Sequence, residues 1–148
     1  MTVESPHKTR AEVYRDMVDI RLAGPDSGEH IALILKENEI DLECDWSRVS
    51  ANWLIACVDD EVIGCVQVLP ATPVAWCEFL LVKPSAPFKI RAIAIRKLMQ
   101  QAIATAHVLG ATYVAGMVHG KNQKFYDVLT KMGCTAVAPH MAMLKRLK

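Results

Sequence analysis

Two apolar periods, one of strands and one of helices, take turns along this chain. Val18-Asp19-Ile20-Arg21-Leu22-Ala23 alternates apolar and polar, which predicts a strand, and Gly24-Pro25 ends it. Asp26-x-x-Glu29 has the form of a capping box, and Ile31, Ile34 and Leu35 supply the apolar face of the helix it would open. Trp53–Val58 and Val62–Leu69 are β-rich and joined by Asp59-Asp60-Glu61, which predicts a hairpin. Gly64 inside the second run predicts a bulge or a close backbone approach. Pro70 and Pro73 bracket a turn into a buried strand, Trp76–Val82. After a loop flanked by prolines, Ile95, Met99, Ala102, Ala106 and Leu109 recur at helical spacing, so a long helix is predicted to about Leu109, where Gly110 stops it. Tyr113–Val118 reads as a strand. Phe125, Val128, Leu129 and Met132 mark a short helix stopped by Gly133. Cys134–Ala138 and Met141–Leu147, around Pro139-His140, form a closing hairpin, and the polar segment Met1–Thr9 is a flexible terminus.

This order predicts a mixed α/β fold of roughly seven strands, with helices flanking one central, mostly antiparallel sheet. The strand–helix–strand passage makes Trp76–Val82 and Tyr113–Val118 a parallel pair. At 148 residues, 52% of them hydrophobic, residues 1–148 form a single domain with an ample core. A formal net charge of +1 gives nucleic acid no global attraction. The five cysteines are scattered without a C-x-x-C pair, so no metal site is expected, and a reducing cytoplasm is the natural compartment. No apolar run reaches the length of a membrane span, and the N-terminus lacks the apolar region of a signal peptide.

The charge is unevenly distributed. From Phe79 to Tyr126 there is no acid, while Lys83, Lys89, Arg91, Arg96, Lys97, Lys121 and Lys124 fall inside. A strand, a loop and a basic helix start present free backbone N–H groups and cations to an anion, so the window suits a phosphate-bearing ligand; a solvated helix face is the competing reading. Glu37, Glu39, Asp41, Glu43 and Asp45 alternate, and if extended would form an acidic wall attracting a cationic acceptor; a solvated loop is the alternative.

Three pieces together resemble the GNAT superfamily of acyl-CoA N-acyltransferases, over Ile20 to Leu147. They are the hairpin Trp53 to Gly64 with its acidic turn, Glu78-Phe-Leu-Leu-Val-Lys-Pro84, and the helix Asn122 to Gly133. The resemblance implies parallel strands that splay apart, acetyl-CoA as cosubstrate, and acetyl transfer to a small-molecule or protein amine, with a homodimer left open. Two departures stand out. The family's pyrophosphate loop usually carries glycines, and Pro87 to Ala94 has none. The family's general-acid Tyr would fall at Leu129, whereas the chain has Tyr126 nearly one turn earlier. Both departures support an alternative, a catalytically degenerate GNAT-like binding or assembly module.

Acyl transfer from a thioester needs a base for the amine, donors for the oxyanion and an acid for the thiolate. Glu78, the only acid on the central strand, is the candidate base; an ion-paired structural carboxylate is the alternative. His119 is a second candidate base or a structural hydrogen-bonding residue, and Tyr126 is the candidate acid or a core ring. Backbone N–H of Leu81 or Val82 would face the thioester carbonyl, with Lys83 opening the loop. Lys89, Ile90, Arg91 and Ala92 at the helix start would hold the CoA pyrophosphate, and Asn122 lies one turn from Tyr126 on the same helix edge. No cysteine has a His or basic neighbour in sequence, which disfavours a thiol nucleophile.

Overall fold

A computed structural model describes residues 7–42, 45–46, 52–117, 123–136 and 142–147. The elements in order are α1 (Arg10–Met17), β1 (Val18–Leu22), a 3₁₀ turn (Pro25–Ser27), α2 (Gly28–Glu37), β2 (Trp53–Val58), β3 (Glu61–Leu69), β4 (Val74–Val82), α3 (Phe88–Val108), β5 (Tyr113–Met117), α4 (Gln123–Lys131), β6 (Thr135–Ala136) and β7 (Ala142–Arg146). The strands form one seven-stranded sheet in the order β1-β2-β3-β4-β5-β7-β6. Only β4 and β5 pair in parallel; every other neighbour is antiparallel. The mixed, mostly antiparallel sheet with flanking helices is therefore present, as are the hairpin and the closing strand pair.

Alternation along the strands sends successive side chains to opposite faces. One face carries Leu54, Ile63, Val66, Val68, Ala75 and Cys77 against Ile90, Ala94, Leu98, Ala102 and Ala106 of α3. The other carries Trp53, Ile55, Cys57 and Cys65 against Ile31, Ile34 and Leu35 of α2. The alanines of α3 let that helix lie close to the sheet, and α4 packs on its flank through Met99, Leu129 and Cys134.

Three sequence expectations change. Helix α1 precedes β1, where none was expected. Thr9 caps it in a capping box: its hydroxyl accepts from Glu12 N–H at 3.2 Å and Glu12 accepts from Thr9 N–H at 2.6 Å. Asp26 does not cap α2; the chain makes a 3₁₀ turn instead, with Ser27 N–H donating to Gly24 O and Ser27 Oγ accepting from Gly24 N–H, both at 3.0 Å. The acidic run is not an extended wall: Glu37 ends α2, and Glu39 follows in a turn at φ 61°. Helix geometry rotates the acids away from one another, and Glu43 lies outside the described residues.

Candidate active-site cleft

β4 pairs with β3 over nearly its whole length, from Leu69↔Trp76 to Gly64↔Val82. Its pairing with β5 stops at Cys77↔Gly116. Beyond Cys77 the two parallel strands part. The cause is a bulge: one residue of β3, Val66, lies between Cys65 and Gln67, while two residues of β4, Phe79 and Leu80, lie between their partners Glu78 and Leu81. Phe79 takes φ 53°, a left-handed conformation that costs a bulky residue about 1–2 kcal/mol. Two contacts hold it there. Its ring stacks on Trp53 with centroids 5.9 Å apart and planes at 17°, and its carbonyl accepts from the Cys65 thiol at 3.7 Å. Gly64 then lets β3 approach the far side of the bulge, since a Cβ there would stand 3.0 Å from both Leu81 O and Val82 Cγ1.

The parted edge of β4 turns backbone groups away from β3, and Val82 O there accepts from Asn38 Nδ2 at 3.1 Å. Lys83 N–H donates to Ile63 O at 2.7 Å, on the β3 side. Strand alternation turns the Leu81 N–H toward β3 too, and the Val82 N–H toward the opening beside β5. Glu78 sits at the start of the bulge, half-buried, opposite Gln67 and on the α2 face. Among the described residues it has no ion pair or hydrogen bond, so the paired carboxylate of the alternative reading is not found among them.

The loop after β4 is built by a turn closed by Ala86 N–H to Lys83 O at 3.1 Å, and Ser85 Oγ donates to Glu37 at 3.1 Å. Lys83 itself reaches Glu61 at 3.1 Å. Pro87 caps α3 without a side-chain acceptor, and the first backbone bond into the helix is Arg91 N–H to Pro87 O at 3.0 Å. The N–H groups of Phe88, Lys89 and Ile90 are therefore left over, in the way any helix start leaves them. They provide donors for an anion without glycine in the loop.

The four residues expected at this helix start diverge. Two positions on a helix differ by about 200°. Arg91 shares an edge with Ile95 and Met99, the edge nearest α4. Its guanidinium carbon lies 5.8 Å from the Phe88 ring centre, and its Nε is buried with no partner among the described residues. Lys89 turns the other way, with Nζ 5.7 Å from the Tyr14 ring centre on α1. Ile90 has its side chain in the core, and Ala92 faces the groove between α1 and α3. Tyr126 packs, half-buried, in the cluster that also takes Leu80 of the bulge, while Leu129 is a core residue at 3% exposure. His119 and Asn122 lie outside the described residues.

Cys57, Cys65, Cys77 and Cys134 are buried and not disulfide-bonded. Burial pushes the Cys65 thiol up to about 12 and does the same at Cys77, to about 12. Among the described residues no group of His, Cys, Asp and Glu could hold a metal, and no helix is long and apolar enough to cross a membrane.

No protein-family model matches the chain, and no curated protein matches its sequence. Solved structures do match it. An acetyltransferase of the GNAT family from Staphylococcus aureus superposes with a TM-score of 0.72 at 11% identity, over 88% of this chain and 99% of that one. The PaiA N-acetyltransferase of Thermoplasma acidophilum, in complex with coenzyme A, gives 0.66 at 18% identity, over 88% and 99%. The N-acetylglutamate synthase of Neisseria gonorrhoeae, complexed with coenzyme A and L-arginine, gives 0.72 at 16% identity over 88% of this chain, which spans 33% of that longer protein. The chain has the fold of the GNAT acetyltransferases.

Proposed function

We propose that this protein transfers an acetyl group from acetyl-CoA to an amine. The observation that carries the reading is the cleft itself. A bulge at Phe79 parts β4 from β5, and the edge it frees lies in the same strand–loop–helix passage as three N–H groups of α3 and the buried Arg91 Nε, which have no partner among the described residues. A buried donor without a partner is rare in a folded protein, and phosphate oxygens would satisfy it together with the helix start. The residues present thus fit the pyrophosphate of the cosubstrate, and the thioester supplies the activated acetyl group.

Val82 N–H is directed to the opening, where it would donate to the thioester oxygen as negative charge develops there. Glu78 would take the proton of the acceptor ammonium from the α2 face. Tyr126, near Leu80, would return a proton to the departing thiolate.

Calorimetric titration with acetyl-CoA tests the cleft, and transfer to a panel of primary amines tests the chemistry. Glu78→Gln preserves shape and hydrogen bonding but cannot take the proton. It is expected to bind acetyl-CoA as the parent does and to lose roughly 10²–10⁴-fold in kcat/KM. Activity equal to the parent's would remove Glu78 from the mechanism. Failure of the parent to bind acetyl-CoA would defeat the enzyme reading and leave the fold serving as a binding or assembly module.

A further inference from the structure

A second concave site lies on the other flank of α3, away from the parted strands. It is a groove of about 660 Å3 between α1 and α3, with Arg10, Tyr14 and Arg15 on one wall and Phe88, Lys89 and Arg96 on the other. Among the described residues no carboxylate lines it. Among the described residues no acid pairs with Arg10, Arg15, Lys89 or Arg96. On α1, Glu12 accepts from Thr9 N–H and Asp16 pairs with Lys8 at 2.6 Å, and both acids also feel the Arg15 charge.

The walls are fixed. Lys97 donates to Arg15 O and Val18 O, at 2.6 and 2.7 Å, so its ammonium closes the C-terminal end of α1 and sets the spacing of the two helices. The Tyr14 ring lies between two cations, with the Arg10 guanidinium 6.0 Å and the Lys89 ammonium 5.7 Å from its centre. Phe88 is 72% exposed at the mouth. Like charges gathered on neighbouring helix positions repel, and an anion seated among them removes that repulsion. Arginines suit phosphate oxygens through paired N–H groups, and flat aromatic walls suit a ring. The volume lies in the range of small-molecule sites.

We infer that this groove binds a phosphate-bearing small molecule with a planar ring, of nucleotide size, at a site distinct from the acyl-CoA cleft. The inference does not rest on the acetyltransferase reading: its side-chain cations lie on α1 and α3 and none on β4 or β5, while Phe88 and Lys89 also belong to the helix start assigned to the pyrophosphate.

The probe is magnesium-free ATP, titrated calorimetrically into the full chain at low ionic strength. One site is expected, tighter for ATP than for inorganic triphosphate because the ring adds contact, and weakened as salt rises. The variant Arg15→Gln/Arg96→Gln is expected to lose ATP affinity at least tenfold while keeping the parent's melting temperature and its acetyl-CoA affinity. ATP is expected to bind equally well when acetyl-CoA is saturating. No ATP binding by the parent, or equal binding by the double variant, would overturn the proposal and leave a solvated basic face. Equal affinity for ATP and triphosphate would overturn the ring. Displacement of ATP by acetyl-CoA, with both affinities falling in the double variant, would overturn the separate site and assign the groove to the nucleotide end of CoA.

Discussion

Phe79 holds a backbone angle that an aromatic residue avoids, and the cleft depends on it. The ring stacked on Trp53 and the carbonyl bonded to Cys65 Sγ offset the cost of φ 53°. Glu78 precedes it, so the strand turns at the residue whose carboxylate would work in the reaction. The buried thiols beside it have a different consequence. Cys65 and Cys77 stay protonated in the fold up to about 12, whereas an exposed thiol in the unfolded chain ionises from about 8.5. Between those values the unfolded chain binds fewer protons, so stability falls as pH rises, by about 1.4 kcal/mol per pH unit for each thiol. Below that window both states are protonated and the effect vanishes. Urea unfolding from pH 7 to 11 is expected to show this decline, and Cys65→Ala/Cys77→Ala is expected to flatten it. An unchanged slope in the double variant would place the alkaline sensitivity in other groups.

Helix α3 serves both flanks of the molecule because its polar positions fall on two edges. Ile90, Ala94, Leu98, Ala102 and Ala106 take the sheet. Arg91 stands to one side of that stripe, and Lys89, Ala92, Arg96 and Lys97 to the other. The cations of the basic window therefore divide between two places, and they should respond differently to removal. Arg91→Ala is expected to weaken acetyl-CoA binding roughly 10- to 100-fold, the loss of one charge-assisted hydrogen bond. Lys89→Ala, whose ammonium lies over Tyr14, is expected to change it by less than about threefold. Comparable losses for the two variants would mean that the ligand bridges both edges of the helix.

At the scale of the molecule, the sheet is two antiparallel halves joined by four residue pairs, Val74↔Tyr113 to Cys77↔Gly116. The C-terminal half, β5, β7 and β6, is held by that seam and by Val114 and Leu147, which pack in the core beneath α3. Pro73 O strengthens the seam by accepting from Thr112 N–H at 2.9 Å and Tyr113 N–H at 3.0 Å. Gly116 sits where the strands begin to part, and a Cβ there would stand 3.0 Å from Cys77 O, a backbone atom that cannot turn away. Gly116→Ala is expected to destabilise the fold by about 1–3 kcal/mol and to alter acetyl-CoA affinity, because it forces the seam open at the mouth of the cleft. Denaturant midpoints and calorimetric titration of the variant check both effects. A midpoint equal to the parent's would show that the seam yields without cost.

Local pattern was enough for most of the architecture. Alternation in Val18–Ala23, the β-rich run Trp53–Val58, helical recurrence from Ile95 to Ala106 and the strand–helix–strand passage depend on neighbours within a few residues, so seven strands and the parallel pair were legible. Helix α1 was legible too, in the capping signature Thr9-x-x-Glu12, but it has no buried residue, so no apolar stripe announced it. Asp26 misled because several turns satisfy the same polar signature, and Gly24-Pro25 selected the 3₁₀ form. The cleft was another matter. That Phe79 rather than a glycine takes the left-handed angle depends on Trp53 and Cys65 lying beneath it, one from β2 and one from β3. That Lys89 and Arg91 part company depends on which stripe of α3 the sheet buries and on α1 lying alongside. The amino-acid sequence determined the elements and their order because those follow from near neighbours. The tertiary structure alone decided where the strand breaks its regularity and which cations share a site, because both follow from residues far apart in the chain.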